Sequence, residues 1–579
     1  MTRPGERSAL EPEPVPVHHR VRALLERFPE GPPPQAEIQG LLAALLPPPE
    51  PRVGDYKAHK QIRDRIRSET VAAIEAAAPC TSERLRALSS RLPDVRWDMG
   101  IEAADLDLAP DRIRVLASHL LRTGTTLTEV GLGMRLTPES ADEADLLALR
   151  ELAVLDRIGW HAVKALERTA APAPHLHWAF TRCRPQYRFA PADALARQPV
   201  EAIDALLDTI PTDRVAELAL ALADRTRPPE WFGGHRRFAA ALVAEARRLA
   251  DGGVSLAALV KAAELWEALR YSNAAYLGFG LGEREAALSG LLALLSRDGA
   301  SDTALRAGEA RPDHPEAAWL QWRLAAARRE VPPGPGLALR VAVPAPSTFR
   351  EVALHVLVDG LPLIPRLFHG DAVHSPDRLL HEDGGLRAGP APREHGLAEA
   401  SCAVECCGAL VARIAADAGA GLVTWEMRRT RGRAVQPEIL AFDADAYAAE
   451  VARAERDRSW EWPARRVARL VRARLASEPE ALARWDCRLH RAASWNGRRG
   501  ELEIVFNHPA DTDLKYDGTW LQFKYSEEIP DAAVVDDTAA EATADRIVER
   551  LKASDPKDIA KVCGGSTESA EALGYPWAF

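Results

Sequence analysis

Cysteine is scarce in this sequence: there are seven in 579 residues, an odd number. So thin a set excludes the disulfide framework that holds small secreted folds together. Long apolar runs are missing as well. Nothing approaches the roughly 18 uninterrupted apolar residues of a membrane-spanning helix, so no membrane association is expected. The first twenty residues carry Pro12, Pro14 and Pro16 and lack the apolar stretch of a secretory leader. With three of the thiols clustered together, the expected location is a reducing one, the cytoplasm. Aromatic residues make up only 6%, although 14 of them are Trp. An excess of positive charge is also absent: 74 Lys and Arg face 84 Asp and Glu, a net charge of −10. That balance favours solubility and supplies no general attraction to nucleic acid or anionic lipid, leaving only local basic patches to consider.

What is present is enough apolar residue, 47%, to build sizeable cores. A chain of this length exceeds a single core, and roughly three or four domains are expected. Residues 1–55 are proline-rich, with two short amphipathic runs, Val21–Phe28 and Ile38–Leu46. Residues 56–330 read as helix after helix. Leu149, Leu152, Leu155, Val163 and Leu166 recur near helical spacing, and Ser255 is placed to cap a helix whose inner face carries Leu259, Ala263 and Trp266. Breakers such as Thr123-Gly124 and Gly252-Gly253 separate the helices, and a helix pair occupies roughly 40 residues, the period of HEAT and armadillo repeats.

Residues 331–336, Val-Pro-Pro-Gly-Pro-Gly, form a linker, after which the apolar period changes from helical to alternating. Residues 337–435 are expected to be β-rich, with Asp359-Gly360 as a hairpin turn and a second hairpin pairing Ala409–Ile414 with Leu422–Met427. Residues 436–579 are expected to mix helices (Phe442–Arg456, Trp462–Ala476, Ala542–Leu551, Pro556–Val562) with a strand pair, Glu501–Phe506 and Thr519–Tyr525. The predicted fold class is therefore multidomain: an all-α, HEAT-like helical-repeat half followed by an α+β half.

Two runs carry a resemblance. Leu121-Arg122-Thr123-Gly124-Thr125 through Val130-Gly131-Leu132-Gly133, followed by Asp145–Leu166, is similar to HEAT-like repeat domains of uncharacterised actinobacterial proteins. Arg387-Ala388-Gly389-Pro390, Leu397–Ala400 and Cys402-Ala403-Val404-Glu405-Cys406-Cys407-Gly408 resemble a small strand module of the same group, as does the closing Tyr575-Pro576-Trp577. The Ala-, Arg- and Pro-rich, Lys-poor composition agrees with such a high-GC bacterial source. The resemblance implies an architecture and brings no activity with it.

Three groups of residues bear on chemistry. Cys402, Cys406 and Cys407, with His395 upstream, offer the thiolates and imidazole that tetrahedral zinc requires. The spacing lacks a second short pair, and the competing reading is the start of a buried strand. A redox pair or a Cys–His nucleophile is the enzymatic version of the same cluster. Arg428, Arg429, Arg431 and Arg433 crowd the end of a hairpin, and Arg465, Arg469 and Arg472 share one helix face. Arginine faces grip phosphates, so nucleic acid is a possible partner; the competing reading is a solvated face. Trp160 and Trp178 read as packing between helices, or, with His161, His175 and His177, as the lining of a concave surface. The function expected from all this is an interaction scaffold that binds a protein partner through its helical-repeat surface. Catalysis is less expected than its absence, and no cofactor is expected beyond the zinc. The alternatives are an enzyme or metal/redox sensor built on Cys402–Cys407, and a nucleic-acid binder built on the arginines.

Overall fold

The computed structural model describes residues 15–46, 56–77, 80–93, 100–156, 158–223, 235–310, 315–330, 334–346, 350–368, 372–381, 384–399, 408–431, 438–511, 519–532 and 535–577. Helices fill the N-terminal half and antiparallel sheets with accompanying helices fill the C-terminal half. The chain divides into two compact units, Met1–Pro211 and Thr212–Phe579, and residues 331–333 of the expected linker lie outside the described residues.

In the first unit the helices are α1 (Val17–Arg27), α2 (Gln35–Leu45), α3 (Tyr56–Ala76), α4 (Ser82–Ser89), α5 (Pro110–Thr123), α6 (Leu127–Leu136), α7 (Glu143–Leu152), α8 (Gly159–Glu167), α9 (Ala173–Arg182), α10 (Phe189–Ala196) and α11 (Val200–Leu207). The two amphipathic runs of the proline-rich segment are α1 and α2. The apolar face of α1 (Val17, Val21, Leu24, Leu25) is buried. Its ends are held by the rest of the unit: the Val17 N–H donates to Gly124 O at 2.9 Å, and the Arg182 guanidinium donates to the carbonyls of Leu25 and Phe28 at 3.1 and 2.7 Å.

The Leu121–Gly133 run is a helical hairpin. Thr126 caps α6, accepting from the Glu129 N–H at 3.2 Å, while the buried Glu129 carboxylate accepts from the N–H groups of Thr126 and Thr125 at 3.0 and 2.6 Å. This is a capping box, which satisfies helix-end donors in both directions. Gly133 lets α6 lie close on α5: a Cβ there would stand 2.7 Å from Leu121 N. Beyond the hairpin, α5 touches α7, α6 touches α8, α7 touches α9 and α8 touches α10, alongside the sequential contacts α7–α8 and α9–α10.

The second unit opens with α12 (Thr212–Ala223), α13 (Arg236–Asp251), α14 (Leu256–Tyr271), α15 (Glu283–Leu295), α16 (Ala300–Ala310) and α17 (Pro315–Ala327). Ser255 caps α14 as expected, its hydroxyl accepting from the Ala258 N–H at 3.2 Å. These helices are tied to the first sheet, β1 (Leu337–Ala342), β2 (Ala353–Val358) and β3 (Leu361–Pro362), paired antiparallel in that order. The Trp319 indole donates to Val343 O at 2.7 Å, and Tyr271 stacks on His355 with ring centroids 4.6 Å apart. The expected turn at Asp359-Gly360 joins β2 to β3, with φ of 52° and 79°, the two positive values of a type I′ hairpin turn.

A short helix α18 (Leu363–Leu367) leads to a five-stranded antiparallel sheet of β4 (Ala372–Val373), β5 (Arg393–Glu399), β6 (Ala409–Asp417), β7 (Leu422–Arg429) and β8 (Glu438–Asp443), with α19 (Pro376–His381) between the first two strands. Its apolar face shares one core with the first sheet and with α20 (Ala444–Arg456); Leu354, Val356, Ile414, Trp425, Phe442 and Tyr447 meet there. The helix expected over Phe442–Arg456 starts at Ala444, because Glu438–Asp443 pairs with β7 and the Asp443 carboxylate caps the helix, accepting from the Ala446 N–H at 2.9 Å.

The chain closes with α21 (Pro463–Ser477), α22 (Glu480–Ala483), β9 (Arg488–Ala493), β10 (Glu501–His508), β11 (Leu521–Glu528), α23 (Asp537–Ala553), β12 (Lys561–Gly565) and α24 (Thr567–Leu573). The sheet order is β12-β11-β10-β9, and α21 packs against β9, β10 and α23. Pro556–Val562 is not the helix expected from sequence. A single 3-10 turn at Pro556–Asp558 gives way to β12, whose pairing with β11 outweighs a weak local helical preference, and the strand ends at Gly564-Gly565.

Candidate functional site

Within the first unit, the turn from α7 into α8 faces the start of α10 across a pocket of about 400 Å³. That lies within the ~300–1,000 Å³ typical of ligand sites. Leu155 and Asp156 of the turn, Trp160, Val163 and Lys164 of α8, Tyr187 of the 3-10 turn Pro185–Tyr187, and Phe189, Pro191 and Asp193 of α10 line it. Gly159 sets this geometry. Its N–H donates to Leu155 O at 2.8 Å, and a Cβ on it would lie 2.3 Å from Ala153 O, so only glycine lets α8 begin this close beneath the turn.

Two of the walls are large aromatics left open to solvent, Trp160 at 41% and Phe189 at 43% exposure. Exposed rings grouped around a concavity are what a docking site for an apolar or aromatic side chain requires. Here the structure departs from the packing expected for Trp160. The indole sits at the first turn of a short helix whose buried face is carried by Ala162, Val163, Ala165 and Leu166, which leaves the ring on the outside. Lys164, one turn on, holds its ammonium 4.3 Å from the centre of the indole. Trp178 does pack, between the guanidinium groups of Arg150 at 4.5 Å and Arg182 at 5.6 Å. His161 lies beside Trp160 with ring centroids 4.2 Å apart, and burial holds His175 below its ordinary value.

The polar element of the pocket wall is Asp156. Its side chain is 3% exposed. One oxygen, Oδ2, accepts from Gln39 Nε2 at 3.2 Å and from Arg184 Nη1 at 3.3 Å; the other, Oδ1, is buried with no hydrogen-bond partner. Burial pushes this carboxyl above the usual range, with Arg184 and Gln39 opposing. At the rim, Arg197 is held by Glu167, Nη2 to Oε2 at 3.0 Å.

The residues singled out from sequence fall elsewhere. Cys402, Cys406, Cys407 and Arg433 lie outside the described residues. His395 stands on β5 opposite Ala412, half-buried. Among the described residues no group of three or more His, Cys, Asp or Glu side chains is placed to hold a metal ion. Arg428 of β7 donates to Glu394 of β5 at 2.7 Å, across the intervening β6, and Arg429 and Arg431 are exposed at the end of β7.

The arginines of α21 are turned onto carboxylates of their own unit. Arg465 and Arg472 reach the two oxygens of Asp377 at 2.8 and 3.0 Å. Arg469 reaches Glu461 at 2.7 Å, and Arg466 joins the same carboxylate. Arg465 also lies over the rings of Trp460 and Trp462, at 4.9 and 5.3 Å.

Sequence reasoning missed a second polar cluster, in the second unit. Glu264 and Glu267 stand one turn apart on α14, and burial pushes each carboxyl up to about 7. Arg323 lies 3.5 Å from Glu267 and packs over Trp266 at 4.3 Å from the ring centre. Burial, with Arg350 adding to it, pushes His355 down to about 4. The available signal was a pair of glutamates on the inward face of a helix already identified as amphipathic. Among the described residues, no helix is long and apolar enough to cross a membrane. In comparisons with family models, curated proteins and solved structures, nothing matches this chain.

Proposed function

We propose that this chain is an interaction protein whose N-terminal helical unit docks a side chain presented by a partner protein in the pocket between α8 and α10. The observation that carries it is the pair of exposed aromatic walls, Trp160 and Phe189, set around a cavity of about 400 Å³. The helix contacts support the HEAT-like side of this reading. Each helix from α5 to α8 meets the helix two places further on as well as its hairpin neighbour, the pattern of stacked helix pairs. Stacks of that kind offer a long surface on which single pockets act as anchors, and interface energy concentrates in such aromatic-walled pockets.

A displayed library of random dodecapeptides, panned on the full chain and counter-screened on a Trp160→Ala, Phe189→Ala double variant, tests the proposal. Peptides with a common anchor residue should be enriched on the wild-type chain, and their affinity should fall by roughly tenfold or more on the variant, as expected for removal of two anchor-contacting rings. Enriched peptides that bind the double variant equally well, or a library that enriches nothing, would overturn it.

A further inference from the structure

The chemistry of the pocket narrows what it accepts. Its walls combine three aromatic rings, Trp160, Tyr187 and Phe189, with two carboxylates, Asp156 and Asp193. Aromatic faces carry negative potential and attract cations, best when the cation is shed of water. The indole face of Trp160 is already used in this way by the chain itself, since the Lys164 ammonium lies 4.3 Å from its centre. Lys164 is exposed, so a ligand can displace this ammonium into water at the loss of one exposed cation–π contact. The second observation is independent of the rings: Asp156 Oδ1 is buried in the pocket wall without a donor, on a side chain only 3% exposed. A buried acceptor left unmade is costly, and a donor delivered by a ligand removes that cost.

We infer that the pocket binds a lysine-type ammonium, primary or monomethylated, presented by a partner protein, with its alkyl stem against Trp160 and Phe189 and an N–H donated to Asp156 Oδ1. The inference rests on the docking role proposed for this pocket. A fully quaternary ammonium satisfies the rings but has no proton for Asp156, and an apolar side chain packs on the rings but brings neither charge nor proton, so both rank below an ammonium that keeps a proton. The ligand ammonium takes the place that Lys164 holds on the indole.

The test uses the full chain labelled with 5-fluorotryptophan, with the Trp160 resonance assigned by its loss in Trp160→Phe. The probes are the Nα-acetyl methylamides of lysine, monomethyl-lysine, trimethyl-lysine and norleucine. The lysine and monomethyl-lysine probes should shift the Trp160 line at concentrations roughly tenfold or more below those needed for norleucine, as a desolvated cation–π contact and a charged hydrogen bond together imply. Asp156→Asn should remove most of that preference. Because Asp156→Asn could disturb the turn, Lys164→Met provides a second arm: removing the resident ammonium should tighten lysine binding severalfold. Norleucine binding as tightly as lysine, or unchanged lysine affinity in Lys164→Met, overturns the ammonium assignment while leaving pocket-dependent library peptides to sustain the docking role. If no probe shifts Trp160 the assignment also falls, and if the library enriches nothing as well, the docking role falls with it.

Discussion

Gly131 and Gly133 lie two residues apart on α6, and replacing each by alanine should change stability in opposite directions. A Cβ on Gly131 meets nothing within 4 Å. Alanine there should therefore gain what a helix interior gains on losing glycine, about 0.5–1 kcal/mol. At Gly133 the same propensity gain is available, but the added Cβ would lie 2.7 Å from Leu121 N, 3.1 Å from Leu121 Cα and 3.2 Å from Ala117 O. These are backbone atoms of α5 and cannot rotate away. The hairpin has to open by several tenths of an ångström, which disturbs the core where Leu116, Leu120, Leu132 and Leu136 meet. Overpacking of this kind costs about 1–3 kcal/mol, so the net loss should be about 1–2 kcal/mol. A chain with two compact units need not unfold in one step, so native-state hydrogen exchange over residues 113–136 is the appropriate assay. At tenfold per 1.4 kcal/mol, Gly131→Ala should slow exchange about two- to fivefold and Gly133→Ala should speed it about five- to thirtyfold. Equal protection in the two variants would refute the close approach of α5 and α6.

Glu267 gives a pH signature. Burial raises its carboxyl from an ordinary value of 4.5 to about 7, so the folded chain binds this proton more tightly than the unfolded chain does. Its stabilising effect is complete below about 4.5 and is lost as pH rises through about 7; Glu267→Gln should flatten the fall in stability of the second unit over that window, read by urea denaturation at several pH values. His355, lowered to about 4, works in the opposite sense, losing stability as pH falls below about 6.5, and comparing Glu267→Gln with wild type cancels it. An unchanged pH slope in the variant would count against the burial of Glu267. Thr126→Ala should destabilise the α5–α6 hairpin by about 1 kcal/mol through loss of the cap, whereas Thr126→Ser should not; similar exchange rates in the two variants would contradict the capping box. Asp377→Ala removes the carboxylate that Arg465 and Arg472 share and should cost about 2–4 kcal/mol in urea denaturation. The loss of that negative charge should also lengthen retention on heparin, and a variant with wild-type stability and retention would mean that the pairs do not form.

Patterns carried by the backbone are legible in the sequence. The Ser255 cap, the Asp359-Gly360 turn and the hairpin of Ala409–Ile414 with Leu422–Met427, which the structure extends to Asp417 and Arg429, each depend on nearby residues whose local preference agrees with the fold. Pro556–Val562 escapes such a reading because its conformation is set by β11, more than thirty residues earlier in the chain. The pocket is hidden for a related reason. Asp156, Trp160, Tyr187 and Phe189 come from a turn, two helices and a 3-10 turn, with no fixed spacing to mark them. A tryptophan near a helix end usually packs between helices, and Trp160 departs from that habit only through the orientation of α8, set by the contact of Gly159 with Ala153, which puts the ring outside.

The arginines show why charge is harder to read than apolar pattern. Hydrophobic burial is non-directional, so the periodicity of one segment already states which face turns inward. A guanidinium is decided by its partner, and the partner can be anywhere. The carboxylate that holds Arg465 and Arg472 comes from α19, at Asp377, and the one that holds Arg469 is Glu461, just before α21 begins. A linear scan sees a basic helix face, whereas the fold presents a set of partly buried ion pairs with Trp460 and Trp462 stacked beneath them. A net charge of −10 bears on this, since with acidic residues in excess an arginine cluster readily finds carboxylates within its own chain. The converse holds for the pocket of the first unit. There a carboxylate oxygen is buried without a donor while an exposed lysine covers the neighbouring indole, and that unmet acceptor, rather than any concentration of charge, is the feature on which the proposed ligand rests.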